Sequence, residues 1–138
     1  MNSALAAKDP ATDQIIALVV EDSRPAREML TTYLQQSGFH VLTAIDGEEA
    51  REKISQYKPN IIILDVVLPG QSGFELCREL KAATETMNIP VILCSKKKTT
   101  IDRFWGLRQG ADAYLFKPIE REELIFTVKS CLKVKSIS

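Results

Sequence analysis

The stretch NIIILDVVLPG, at residues 60–70, sets the fold of this chain. Four consecutive aliphatic residues, 61–64, are typical of a strand that is buried on both faces of a parallel sheet. Asp65 ends the run, and the Pro69-Gly70 pair that follows predicts a turn. The stretch therefore predicts a buried strand that carries one carboxylate at its carboxyl end.

Three further apolar runs also end in a polar residue. These runs and the residues that follow them are 15–20 with Glu21 and Asp22, 91–94 with Ser95, and 113–116 with Lys117. In an open α/β sheet the carboxyl ends of the strands line one crevice, where ligands bind. We therefore expect three carboxylates, one hydroxyl and one ammonium to meet in a site for a divalent cation and a phosphoryl group.

Apolar runs alternate with helical patterns five times, which predicts an α/β fold with a doubly wound, five-stranded parallel sheet and helices on both faces. Helix starts are indicated by Pro25 and by three cap-like pairs, Asp46 with Glu49, Ser72 with Glu75, and Thr99 with Asp102. We expect one domain over residues 14–138, after a flexible tail at residues 1–13. That tail lacks the basic and apolar segments of a secretory signal.

The amino-acid composition indicates which partners and which cellular location to expect. Lysine plus arginine and aspartate plus glutamate number 18 each, so net charge gives no reason to expect nucleic acid or an anionic membrane as a partner. No apolar stretch reaches the roughly 18 residues needed to span a bilayer. The cysteines at 77, 94 and 131 lack metal-type spacing and fall at apolar positions. We interpret them as reduced core residues of a cytoplasmic protein.

The acids and the lysine suit phosphoryl chemistry. Two carboxylates about 4 Å apart repel each other by roughly 4 kcal/mol at an effective dielectric constant of about 20, which favours a cation between them. Magnesium prefers oxygen ligands and needs only two or three carboxylates. A carboxylate such as Asp65 can form an acyl phosphate. Lys117 and the metal would balance the phosphoryl oxygens, and Ser95 would donate a hydrogen bond to one of them.

Four ordered motifs carry a family resemblance: VVEDS at 19–23, LDVVLPG at 64–70, PVILCS at 90–95 and GADAYLFKP at 110–118. Together they make the chain resemble a response-regulator receiver domain from about Ile15 to the C-terminus. The resemblance implies the flavodoxin-like strand order 2-1-3-4-5. Segments 65–74 and 102–114 further resemble regulators of pilus-based twitching motility and phototaxis.

The resemblance also implies a role for each site residue. Asp65 would accept phosphate from a histidine kinase or phosphotransfer protein, with Mg²⁺ (or Mn²⁺) bound by Glu21, Asp22, Asp65 and the backbone carbonyl of Val67. Lys117 would bind the phosphoryl group, Ser95 and Tyr114 would form the switch pair, and the Lys117-Pro118 peptide would be cis. The chain would then be a stand-alone switch whose helix 4, strand 5 and helix 5 present the face that binds a downstream protein.

Two positions depart from the family pattern, and other functions stay open. Lys96 follows Ser95 where a small residue is usual, and Val67 replaces a residue that is often polar; both affect the expected phosphate lifetime. One alternative is a scaffold or pseudo-receiver that binds partners without phosphate. A haloacid-dehalogenase-type phosphatase would need an aspartate at position 67, and a flavodoxin-like carrier would need a phosphate-binding loop at Glu21. Of Phe104 and Trp105 on helix 4, we expect one to pack inward.

Overall fold

The computed structural model describes residues 15–96 and 99–137, the last four without their side chains. Five strands alternate with five helices. The strands are β1 (Ile16–Val20), β2 (His40–Ala44), β3 (Ile61–Asp65), β4 (Val91–Ser95) and β5 (Ala113–Phe116). The helices are α1 (Arg24–Gln36), α2 (Gly47–Tyr57), α3 (Gly73–Ala82), α4 (Thr100–Arg108) and α5 (Arg121–Ile137). The expected tail at 1–13 lies outside the described residues.

The five strands form one sheet in the order β2-β1-β3-β4-β5, and every neighbouring pair is parallel. The predicted fold class and strand order are confirmed. Val20 of β1 lies beside Leu64 of β3. Asp65, the next residue of β3, lies beside Cys94 of β4. This register brings the ends of the central strands to one edge of the sheet.

Each face of the sheet supports its own hydrophobic core. Ile62 and Leu64 of β3 belong to the core beneath α2, α3 and α4, whereas Ile61 and Ile63 belong to the core beneath α1 and α5. All four side chains are at most 1% exposed. Alternate residues of β3 therefore enter opposite cores, which is why the strand is apolar at every position.

Local sequence signals fix where most helices begin. Ser72 and Glu75 form a reciprocal capping box at α3, and the side chain of Thr99 caps α4 by accepting from the backbone of Asp102. At α2 only half of the expected box forms. Asp46 accepts from the backbone of Glu49, while the Glu49 carboxylate accepts from the backbone of residue 45.

Helix α4 departs from expectation. Phe104 and Trp105 are 58% and 57% exposed, so the prediction that one of them packs inward is wrong. The only buried residue of α4 is Gly106. The ring of Tyr114 occupies the space beneath this glycine. The helix therefore rests on the sheet through a backbone surface, and its large side chains point away from the core.

The cysteine prediction holds for two of three residues. Cys77 and Cys94 are buried, but Cys131 is only half-buried at the edge of the second core. All three are free of disulfide bonds. Within the described part of the chain, none of the helices has the length and apolar character that a membrane span requires.

Candidate functional site

The polar residues expected at the strand ends meet in one cavity of about 690 Å³. Glu21 and Asp22 follow β1, Asp65 ends β3, Ser95 ends β4, and Lys117 follows β5. Among the described residues, Glu21, Asp65 and Ser95 are the buried polar or charged ones. Asp22 is exposed at the mouth of the cavity. The sheet thus brings together all five groups that the strand-end pattern placed at this edge.

The three acids and the lysine form a compact charge cluster. Carboxylate oxygens of Glu21, Asp22 and Asp65 all lie within 4.8 Å of one another. Nζ of Lys117 lies 2.6 Å from Oε1 of Glu21 and 3.0 Å from Oδ1 of Asp65. Three carboxylates and one ammonium leave a formal charge of −2 when all four groups are ionised.

Burial and neighbouring charges shift the pKa values of Asp65 and Lys117. Burial raises the pKa of the Asp65 carboxyl above its ordinary value; the hydrogen bond from Lys117 opposes this, while the charges of Glu21 and Asp22 reinforce it. Burial lowers the pKa of Lys117, but its bonds to Glu21 and Asp65 outweigh burial, so the net shift is upward. The ammonium is therefore held in its charged form, and one ammonium leaves Asp65 incompletely compensated.

The backbone around the acid pair is held by contacts that the sequence analysis missed. Nη1 of Arg27 donates to the backbone carbonyls of Glu21 and Asp22, at 2.9 and 3.3 Å. The backbone N–H of Ser23 donates to Oε2 of Glu21 at 3.0 Å. An arginine in the first turn of a helix is too common to have signalled this role. Through these hydrogen bonds Arg27 restrains the loop that carries both carboxylates.

A glycine allows α3 to approach the end of β3. A Cβ atom at Gly73 would lie 2.1 Å from the backbone oxygen of Asp65 and 2.9 Å from Cα of Val66. The N–H of Gly73 donates to the carbonyl of Val66 at 2.8 Å. The second glycine of the Pro-Gly-Gln-Ser-Gly segment was the sequence signal for this close contact. Gly73 thereby fixes the backbone that carries Asp65.

Of the remaining predicted residues, Val67 lines the cavity and Tyr114 does not. The side chain of Val67 is 67% exposed and lines the cavity, as does Lys96. The Lys117-Pro118 peptide is cis. Tyr114 lies apart from the cavity lining: its ring is buried in the core beneath α4 and meets the ring of Phe116 edge-on, with centroids 5.6 Å apart.

One wall of the cavity is apolar, which the sequence analysis did not foresee. It consists of side chains from α1 and from the segment after β5: Ala26, Met29, Leu30, Pro118 and Ile119. These elements are far apart in sequence, so no local pattern links them. Leu30 and Ile119 are buried, so the accessible part of this wall consists of Ala26, Met29 and Pro118.

The donor set fits a divalent cation. All three acidic side chains offer oxygen, the ligand type that Mg²⁺ prefers, and a few protein oxygens suffice because Mg²⁺ retains several waters. The formal charge of −2 matches a divalent ion. Burial of Glu21 and Asp65 makes their mutual repulsion costly, and a cation would relieve it.

Comparison with known proteins identifies the family of this chain. The response regulator receiver domain family matches residues 17–129. The chain belongs to this family. Receiver domains are signalling switches that bind Mg²⁺ through acidic residues and interact with histidine kinases or phosphotransfer proteins and with downstream targets. The family expected from the four motifs is confirmed.

Three individual proteins are similar to this chain over most of its length. Protein PilH of Pseudomonas aeruginosa is 39% identical over 115 residues, which cover 83% of this chain and 95% of that protein. The chemotaxis protein CheY4 of Vibrio cholerae is 30% identical, with a TM-score of 0.80 over 86% of this chain and 98% of that one. The receiver domain of a histidine kinase from Syntrophus aciditrophicus is 34% identical, with a TM-score of 0.80 over 86% and 90%.

Proposed function

We propose that this receiver domain is a phosphorylation switch whose phosphoacceptor is Asp65. The observation that carries the proposal is the cluster in which Lys117 bridges Glu21 and Asp65 while Asp22 lies within 4.8 Å. Phosphoryl transfer requires positioning and charge neutralisation, and these residues supply both. We take the functional unit to span residues 14–138.

In the transfer step, a carboxylate oxygen of Asp65 attacks the phosphorus of a phosphohistidine on the donor. An O–P bond forms, the N–P bond breaks, and its electron pair returns to the imidazole, which takes up a proton. The product is an acyl phosphate on Asp65. Hydrolysis of this acyl phosphate by water returns the carboxylate and inorganic phosphate, which resets the switch.

The neighbouring residues have distinct parts in that step. Lys117 is already within 3.0 Å of Asp65 and pairs with a phosphoryl oxygen as it arrives. Ser95, buried beside Asp65, donates its hydroxyl to another. Mg²⁺ or Mn²⁺ would be held by Glu21, Asp22, Asp65 and the carbonyl of Val67. When bound, the cation would supply positive charge that offsets the charge of the phosphoryl oxygens.

The apolar wall of the cavity gives the phosphodonor a place to dock. Ala26 and Met29 on α1 and Pro118 after β5 border the acids. Burying apolar surface at this wall stabilises an encounter with a protein donor, and the charged centre then orients the phosphohistidine. We propose a histidine kinase or phosphotransfer protein as the donor. The free thiols Cys77 and Cys94 fit a reducing compartment and support a cytoplasmic location.

The output surface is proposed to be the face formed by α4, β5 and α5. Movement of the Ser95 hydroxyl towards the phosphoryl group would favour one position of Tyr114, and α4 would respond. Four large side chains on α4 are exposed and available to a downstream protein: Ile101, Phe104, Trp105 and Leu107. The likeness to PilH supports a pathway that controls pilus-based motility.

The direct test is intact mass after incubation with a small acyl phosphate and Mg²⁺. Wild type should gain one phosphoryl group, and Asp65→Asn should gain none. Glu85→Gln, an exposed acid outside the cavity, is a matched control and should behave as wild type. No gain in wild type, or an equal gain in Asp65→Asn, would refute the proposal.

A second measurement separates the switch from its rivals. Affinity for the downstream protein should change on phosphorylation in wild type and stay constant in Asp65→Asn. A scaffold that ignores phosphate would show the same affinity in every state. Steady multiple turnover on a phosphate ester would favour the phosphatase, whose second aspartate is replaced here by Val67.

A further inference from the structure

Gly106 is an unusual residue for its place in α4. It is the seventh of nine residues, and a glycine inside a helix costs about 1 kcal/mol relative to alanine. It is also the only residue of α4 that is buried. The only position of α4 that is fully buried is thus the one that has no side chain, and this coincidence requires a steric explanation.

The ring of Tyr114 supplies that explanation. A Cβ atom at position 106 would lie 2.6 Å from Cδ2 and 2.9 Å from Cε2 of this ring, and 3.2 Å from Cδ1 of Leu93. Contacts below 3.0 Å require one partner to move. Phe116 packs against the same ring, and the tyrosine is only 7% exposed. The ring and α4 therefore compete for one volume.

We propose that Gly106 is a positioning residue for Tyr114. Because glycine has no Cβ atom, the inward ring of Tyr114 fits beneath α4. The position of this helix on the sheet then follows the position of the ring. A side chain at 106 would force the ring outward or lift the helix. The steric part stands alone, whereas its effect on the phosphorylation response rests on the proposed function.

A double-mutant cycle tests the steric part without phosphate. Gly106→Ala should lower the urea midpoint of the wild type, because the new methyl group collides with the ring. In the Tyr114→Ala background the same change should raise the midpoint, because alanine favours helix and the obstacle is gone. Gly47→Ala is the matched control: its nearest neighbour is the flexible Gln71 side chain, so its effect should be equal in both backgrounds.

The cycle stays informative if one variant fails to fold. Failure of Gly106→Ala alone, with recovery in the double variant, would support the proposal. An equal shift of the midpoint in both backgrounds, or failure of the double variant when Tyr114→Ala alone folds, would overturn the proposal, because the backbone and not the ring would then require glycine.

Trp105, the single tryptophan of the chain, reports on α4 from the adjacent position. Its fluorescence should change as wild type is titrated with acyl phosphate and Mg²⁺, and Gly106→Ala should require about fivefold more acyl phosphate for half of the change. An identical titration, or no fluorescence change in wild type that intact mass shows to be phosphorylated, would overturn the coupling. If wild type gains no phosphoryl mass, the proposed function fails while the stability cycle still decides the steric claim.

Discussion

The acid cluster and α4 are held in opposite ways. Glu21 and Asp65 are almost fully buried and share Lys117, and Arg27 and Gly73 fix the backbone on either side. Helix α4 buries a single glycine and exposes four large apolar side chains. The acid cluster is restrained from several directions, whereas α4 has one fully buried residue.

This difference suits a switch. Chemistry at Asp65 needs fixed distances, which packing and ion pairs provide. An output element must change position for a modest free energy, and an element with few buried contacts opens or shifts most easily. Four experiments test this contrast, and the change in stability that we expect decreases from the first to the last.

Replacing a leucine with alanine should lower the free energy of unfolding much more in β3 than in α4. Leu64→Ala, in the strand that carries Asp65, should lower the free energy of unfolding by about 2–5 kcal/mol because the side chain is fully buried. Leu107→Ala on α4, where the side chain is 41% exposed, should cost well under half of that. Urea unfolding gives both values. Equal costs would show that α4 is packed as firmly as β3.

Removing the shared ammonium should destabilise the acid cluster. Lys117→Met leaves two buried carboxylates unpaired and should cost about 3 kcal/mol at neutral pH in metal-free buffer. Arg24→Met removes an exposed ion pair with Glu28 on α1 and should leave stability almost unchanged. If both variants lost equally little stability, the ion pairs of Lys117 would stabilise the protein no more than an exposed ion pair does.

A divalent cation should stabilise the folded state at the acid cluster. Free Mg²⁺ at 100 times its dissociation constant should add about 2.7 kcal/mol to the free energy of unfolding. Asp22→Asn should weaken this gain while barely altering metal-free stability, because Asp22 is exposed. Thermal unfolding with and without Mg²⁺ measures both effects. A gain of the same size in Asp22→Asn would remove that residue from the ligand set.

The smallest expected effect is the pH dependence that Asp65 contributes. Since its pKa is raised in the folded protein, the folded state binds the proton more tightly, and stability from this group falls as pH rises from its ordinary value of 3.8 through the folded value. Asp65→Asn should therefore gain stability relative to wild type between about pH 3 and pH 7 in metal-free buffer. Saturating Mg²⁺ should shrink that gain, and a difference independent of pH would contradict the assignment.

Much of the fold was predictable because its signals are local. A run of aliphatic residues that ends in a carboxylate specifies a buried strand and the edge at which the acid lies. Ser72 with Glu75 and Thr99 with Asp102 mark helix starts through hydrogen bonds that span three residues. Helix α4 was misjudged because the volume beneath it is filled by Tyr114, a residue of the next strand.

The order of apolar runs and polar residues along the chain was enough to predict that the polar groups would share one edge, because parallel strands whose connections cross over all end on the same side of their sheet. The distances within that edge became known only from the assembled fold. They place the ammonium of Lys117 between Glu21 and Asp65, which are 96 and 52 residues away, and the guanidinium of Arg27 on the loop carbonyls. The spacing of apolar and polar residues indicates which face of a helix or strand is buried and where that element ends. Separations across the sheet depend on register, twist and side-chain packing, which arise only when the elements assemble.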